Sequence, residues 1–113
     1  MHEMSLCQGV LKILQEQADI QNYSRVNSVT LEIGELSTAV PESMEMCFDA
    51  ITRGTLADGA ELIIVRTRGE AWCRKCEDVV PVKERFGPCP RCDGTDVELR
   101  AGDALRIQEL EVD

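Results

Sequence analysis

Near the start of the chain, apolar residues recur at the spacing of an α-helix. Leu6, Val10, Ile13 and Leu14 fall on one face and Cys7 and Leu11 widen the stripe, so an amphipathic helix is expected over residues 6–21. Ser5 followed by Gln8 has the form of a capping box at its start. The period then changes to two. Val29, Leu31 and Ile33 alternate with Ser28, Thr30 and Glu32, which predicts a strand over 28–33, ended by Gly34. Pro41, a residue suited to the first helical position, opens a second helix whose Met44, Cys47, Phe48 and Ile51 share a face. Asp58-Gly59 marks a turn, and the unbroken apolar run Leu62 to Val65 predicts a strand that is central or covered on both faces.

At about Gly69 the pattern lapses. From there to Val97 the chain holds four cysteines, three glycines and three prolines (Pro81, Pro88, Pro90), with little periodicity. Regular alternation returns over 104–112. Leu105 and Ile107 share one face while Leu110 and Val112 are out of phase with them, so a β-bulge near Gln108 is expected. The expected fold class is α+β: two helices packed on a small, mainly antiparallel sheet, with a zinc-ribbon-like four-cysteine module inserted between two strands. Residues 1–70 and 98–113 would form the α+β domain and 71–97 the insert, a segment too short to build a core of its own without a metal.

Composition sharpens this picture. At 113 residues and 43% hydrophobic, the chain has the size and apolar content of one ordinary folded domain. Aromatics are only 4%, so Leu, Ile, Val and Met must carry the core. A formal charge of −9 argues against non-specific binding to nucleic acid or to an anionic membrane, both of which need a basic face. No stretch approaches the ~20 apolar residues of a membrane span, and the first residues lack the basic and apolar regions of a signal peptide. The expected compartment is the cytoplasm, where thiols stay reduced and six cysteines point to metal before disulfides.

Cys73-Arg-Lys-Cys76 and Cys89-Pro-Arg-Cys92 are separated by twelve residues. A two-residue gap lets a tight turn aim both thiolates at one ion, and two such turns close a tetrahedral site with no open position, the form of structural zinc. An iron–sulfur centre also uses four cysteines. Trp72 before Cys73 gives the order of a thioredoxin-type redox site, but such a site needs its second cysteine at the start of a helix. Here β-like residues and Pro81 follow Cys76, and the second pair would have no role. Between residues 70 and 97, five basic residues face six acidic ones, a poor footprint for nucleic acid.

His2 is the sole histidine. A lone terminal histidine is usually surface decoration on a fraying end. A side chain this large at position 2 should nevertheless block removal of Met1, leaving the α-amine beside the imidazole. That amine, the His2 amide and imidazole, and the Glu3 amide or carboxylate can reach one ion, and nitrogen donors in a plane suit Ni(II) or Cu(II).

Taken together, these segments resemble the HypA/HybF family of nickel metallochaperones of [NiFe]-hydrogenase maturation. The residues that carry the resemblance are Met1-His2-Glu3-x-Ser5-Leu6, Leu31 to Ser37, Pro41-Glu42-Ser43-Met44 with Phe48, the two cysteine pairs with Gly94, and Gly102-Asp103-x-Leu105-x-Ile107 with Leu110-Glu111-Val112. The resemblance implies nickel at Met1, His2 and Glu3, and zinc at Cys73, Cys76, Cys89 and Cys92. It implies a non-enzymatic carrier working with a HypB-type GTPase and delivering to the hydrogenase large-subunit precursor. It also leaves room for a homodimer and for service to urease. Met44 stands where the family commonly has Leu. A competing reading is a zinc-ribbon protein-interaction module with no nickel role. Cys7 and Cys47 sit on apolar helix faces and read as core residues, a metal role being the alternative. No catalytic Ser/His/Asp or Cys/His set can be built from one imidazole.

Overall fold

The computed structural model describes residues 3–85 and 87–113. Its elements run α1 (Glu3–Gln21), β1 (Val26–Gly34), α2 (Pro41–Thr52), β2 (Glu61–Thr67), β3 (Glu70–Cys73), β4 (Asp78–Pro81), β5 (Val97–Ala101) and β6 (Leu105–Val112). The strands form two three-stranded sheets, ordered β2-β1-β6 and β4-β3-β5. The chain divides into two compact units. One comprises the residues up to Leu31, Thr38–Val65 and Arg106–Asp113; the other comprises Glu32–Ser37 and Arg66–Leu105. Among the described residues no helix is long and apolar enough to cross a membrane.

In the first unit, α1 buries Cys7, Val10 and Leu14, three members of the expected stripe and its flank. Ile13 turns outward and is 47% exposed. The capping box does not form, because the backbone is already helical at Glu3 and Ser5 lies inside the helix. After α1 the chain reverses through Asn22, whose φ of 57° is the left-handed conformation that helix ends favour. Tyr23 then packs back, its hydroxyl donating to the Leu14 carbonyl at 2.7 Å. α2 begins at Pro41 as its sequence predicts, and Met44, Phe48 and Thr52 are buried at successive turns. The buried Thr52 hydroxyl donates to the Phe48 carbonyl at 2.7 Å, so it too is paired. The two helices pack on each other.

β1 is the central strand of its sheet and buries Val26, Val29, Leu31 and Ile33. Hydrogen bonds at its two ends set the strand directions. Asp113 N–H donates to the Arg25 carbonyl and Gly34 N–H to the Ala104 carbonyl, both at 2.9 Å, so β6 runs antiparallel. Val26 N–H donates to the Leu56 carbonyl (2.9 Å) and Glu35 N–H to the Thr67 carbonyl (2.8 Å), so β2 runs parallel and α2 is the crossover between them. The expected turn at Asp58-Gly59 is present, with Gly59 at a φ of 77°.

β2 corrects one expectation. Its apolar run predicts a central or doubly covered strand, yet it lies at the sheet edge with Ile63 39% and Val65 37% exposed. A run of four apolar residues has no phase, so it cannot tell an edge from a centre. The two-way alternation of β1, polar on one side, is what marks the covered face. In β6, burial changes phase between Ile107 and Leu110, the interval where the two apolar sets fall out of step.

The second unit contains more regular structure than its sequence predicts. β3 is central and antiparallel to both neighbours. It pairs Glu70 with Pro81 and Cys73 with Asp78 on β4, and Cys73 with Val97 on β5. The β3–β5 register slips between Glu70 and Ala71. The unit also has a small core of its own: Leu36, Ala71, Val80, Val82, Cys73 and Cys89, with Cys76, Cys92, Val97 and Leu99 packed on it. Four of these ten residues are cysteines, so sulfur does much of the filling. Gly102 closes the unit at a φ of 98°, and a Cβ there would lie 2.5 Å from Gly69 Cα. Leu36 N–H donates to the Gly102 carbonyl at 2.8 Å across this crossing.

Candidate metal centre

Each cysteine pair sits on a tight turn. Cys73 ends β3, and the chain turns so that Cys76 N–H donates to Cys73 Sγ at 3.4 Å. The second turn closes on itself: Cys89 N–H donates to the Gly94 carbonyl and Asp93 N–H to the Cys89 carbonyl, both at 2.8 Å. Gly94 N–H points at Cys92 Sγ at 3.4 Å, and a Cβ on Gly94 would crowd that sulfur at 3.2 Å. The residue after each pair takes the same unusual conformation, Glu77 with a φ of 52° and Asp93 with 61°. The two turns are therefore built alike, although only one of them carries the glycine.

The four sulfurs lie within 4.8 Å of one another. Cys73 Sγ to Cys92 Sγ is 3.6 Å and Cys76 Sγ to Cys89 Sγ is 3.9 Å. Tetrahedral zinc, with Zn–S bonds of about 2.3 Å, needs sulfurs about 3.8 Å apart. The donor set is all-thiol, Cys73 and Cys89 are buried, and Cys76 and Cys92 are half-buried. This cluster fits a structural zinc ion.

The electrostatics agree with that fit. The Cys76 thiol is pushed up to about 12, first by its hydrogen bond with Cys92, then by burial and its contacts with Cys73 and Cys89. Burial pushes Cys89 up as well, but the Cys92 and Arg91 amides and the neighbouring thiols outweigh it and bring it down to about 7. Four thiolates this close together would repel one another. A dication would supply the charge that the protein lacks there.

Two arginines frame the cluster, and sequence reading treats them only as surface charge. Arg74, inside the first turn, pairs with Asp96 (2.6 Å) and Glu98 (3.3 Å) on and just before β5. Arg91, inside the second, pairs with Asp78 at the start of β4 (2.9 Å). Each turn is thus tied to a strand beyond its own pair. The residues between the cysteines were open to this reading, since a basic residue in each gap faces acidic neighbours in the sequence, but the partners depend on the strand register.

At the other proposed site, Met1 and His2 lie outside the described residues. Glu3 is the first residue of α1, and its Oε2 accepts the Val40 N–H at 3.3 Å. Its carboxylate is therefore engaged with the segment leading into α2.

These features define a small α+β protein with a four-cysteine metal module. Comparison with known proteins is specific about its relatives. The family model described as hydrogenase/urease nickel incorporation, metallochaperone, HypA matches residues 1–112. A hydrogenase maturation factor HypA from Rhodopseudomonas palustris (strain BisA53) is 50% identical over 113 residues, covering all of both chains. A second such factor from Bradyrhizobium diazoefficiens is 46% identical over the same span. The solution structure of the Ni metallochaperone HypA from Helicobacter pylori superposes with a TM-score of 0.75 at 25% identity, covering 99% of this chain and 97% of that one. The chain belongs to the HypA family.

Proposed function

We propose that this protein is a nickel carrier for [NiFe]-hydrogenase maturation that holds Ni(II) at its N-terminus and a structural zinc at Cys73, Cys76, Cys89 and Cys92. The observation that carries the reading is the family match, which runs from the first residue to residue 112. In it, nickel is cargo. The Met1 amine, the His2 amide and imidazole, and the Glu3 amide would supply nitrogen donors of the kind nickel accepts in a plane. The engagement of the Glu3 carboxylate by Val40 N–H favours the Glu3 amide over its side chain as donor. Those nitrogens must lose protons to bind, so nickel is held less tightly as pH falls and can be given up without breaking the fold.

The recipient is the hydrogenase large-subunit precursor, a HypB-type GTPase is the working partner, the compartment is the cytoplasm, and the protein is not an enzyme. Two variants separate this reading from a pure interaction module. In cells lacking the protein, His2→Ala should fail to restore nickel insertion into the hydrogenase yet still be recovered with the GTPase. If His2→Ala restores insertion fully while Cys89→Ala abolishes it, the cysteine module alone is the working part and the nickel role falls.

A further inference from the structure

α1 carries a row of apolar side chains that its own unit does not bury. Ile13 is 47% and Ile20 71% exposed, on a helix whose other side buries Cys7, Val10 and Leu14. Seven residues make two helical turns, so the two isoleucines stand on one row about 10 Å apart. Leu6, seven residues before Ile13, extends the row and is half-buried. Gly9 lies on the same side, and a Cβ there would meet nothing within 4 Å, so the chain leaves the helix open at that point. Single apolar side chains in solvent are ordinary, but a row at helical spacing is a face.

The charges beside the row are of one sign. Glu16 lies between the isoleucines, one turn from each, and Asp19 flanks Ile20. Among the described residues neither carboxylate has an ion-pair partner. Asp19 also sits in the last turn of α1, where the helix dipole is negative and no basic residue offsets it. The opposite flank is uncharged: Gln21 Nε2 donates to Gln17 Oε1 at 2.9 Å.

We propose that the Leu6, Ile13 and Ile20 row of α1 is a docking face for a basic amphipathic helix of a partner protein. An apolar row at heptad spacing fits the apolar face of a second helix. The unpaired carboxylates and the uncompensated helix end select lysine or arginine beside it. A net charge of −9 steers such a partner toward the chain. A second copy of this chain fits poorly, because α1 has Lys12 as its one cation against Glu3, Glu16 and Asp19. An anionic bilayer is repelled by the same carboxylates. The face uses neither the zinc cysteines nor the residues proposed for nickel.

The test titrates the zinc-loaded full chain with a fluorescent synthetic helix of the length of α1, 19 residues. Its leucines recur at every third or fourth position and its other positions are mainly lysine; a scrambled peptide of equal composition is the control. The patterned peptide should bind about tenfold more tightly than the scrambled one, since charge alone cannot read the row. Ile20→Gln, a change at an exposed position, should weaken binding about tenfold, the scale of losing an anchor residue, with helical circular dichroism and zinc content intact. Glu16→Gln combined with Asp19→Asn should weaken it about threefold at low salt and flatten its salt dependence. Equal binding of the two peptides, or binding untouched by Ile20→Gln, overturns the proposal. So does a face taken up by other occupants: self-association in sedimentation, or binding to phosphatidylcholine vesicles, that is lost in Ile20→Gln.

Discussion

The two units of this protein are stabilised in different ways. The first buries Phe48, Leu14, Leu31, Met44, Val26 and Val29 nearly completely, most of the largest core side chains. The second has Leu36, Ala71, Val80, Val82 and two cysteines as its buried cluster, with no aromatic among them. Burial of a large apolar side chain is worth about 1.5–3 kcal/mol, so the first unit can hold itself by the hydrophobic effect. Among its described residues the second buries fewer large apolar side chains, and four sulfurs take part in its packed cluster. The difference teaches that the cysteines serve first as the second unit's missing core. The nickel cargo is proposed for the other unit, at Met1, His2 and Glu3.

Metal removal should break this comparison most strongly. Stripping zinc with a strong chelator, or replacing Cys89 by Ser, is expected to melt the β4-β3-β5 sheet while leaving the α1 and α2 amides protected from hydrogen exchange. Metal binding to a site that is unformed in the unfolded chain contributes its energy directly to folding. Loss of helical protection together with the sheet would mean that the two units do not divide their stability this way. In the first unit, Phe48→Ala should cost about 3–5 kcal/mol by denaturant melting, the range for emptying an aromatic core position, without releasing zinc.

Gly102→Ala should cost about 1–3 kcal/mol from backbone strain alone at a positive φ, and the approach to Gly69 adds to it. Its effect should fall on the second unit and appear as easier zinc loss to a chelator. Tyr23→Phe removes one buried hydrogen bond to the Leu14 carbonyl. It should lower the stability of the first unit by about 1 kcal/mol in a thermal melt. Smallest of all, Arg91→Ala should leave the melting temperature unchanged within error. Its partner Asp78 and its own side chain are each 56% exposed, and exposed ion pairs contribute little.

The legibility of the sequence follows the same divide. Both helices could be read because a stripe at 3.6-residue period has a phase, and α2 even begins at its predicted Pro41. β1 could be read because polar and apolar residues alternate along it. β2 misled because Leu62 to Val65 alternate with nothing, so an edge strand passed for a central one. In the second unit β3 and β4 are four residues long and β5 five, too short for any period to emerge. Their pairing follows the cysteine turns, a constraint that spacing reveals as a metal site and not as a sheet. The four-cysteine convergence was legible from two matched gaps. The arginine pairs that brace it were not, because their partners are set by strand register. Cys7, Met44 and Cys47 were legible as residues on the apolar faces of two helices, but the contact between the Cys7 and Met44 sulfurs was not.

The central claim is that cargo and staple metals occupy opposite ends of this chemistry, nitrogen donors at the N-terminus for nickel and thiolates for zinc. It is tested most directly by nickel titration of the native-terminus protein beside His2→Ala, with zinc content measured in both. The account predicts that the wild-type chain binds a single nickel, that His2→Ala loses it, and that zinc is equal in the two. Nickel binding that survives His2→Ala, or that disappears with the cysteines instead, would contradict it.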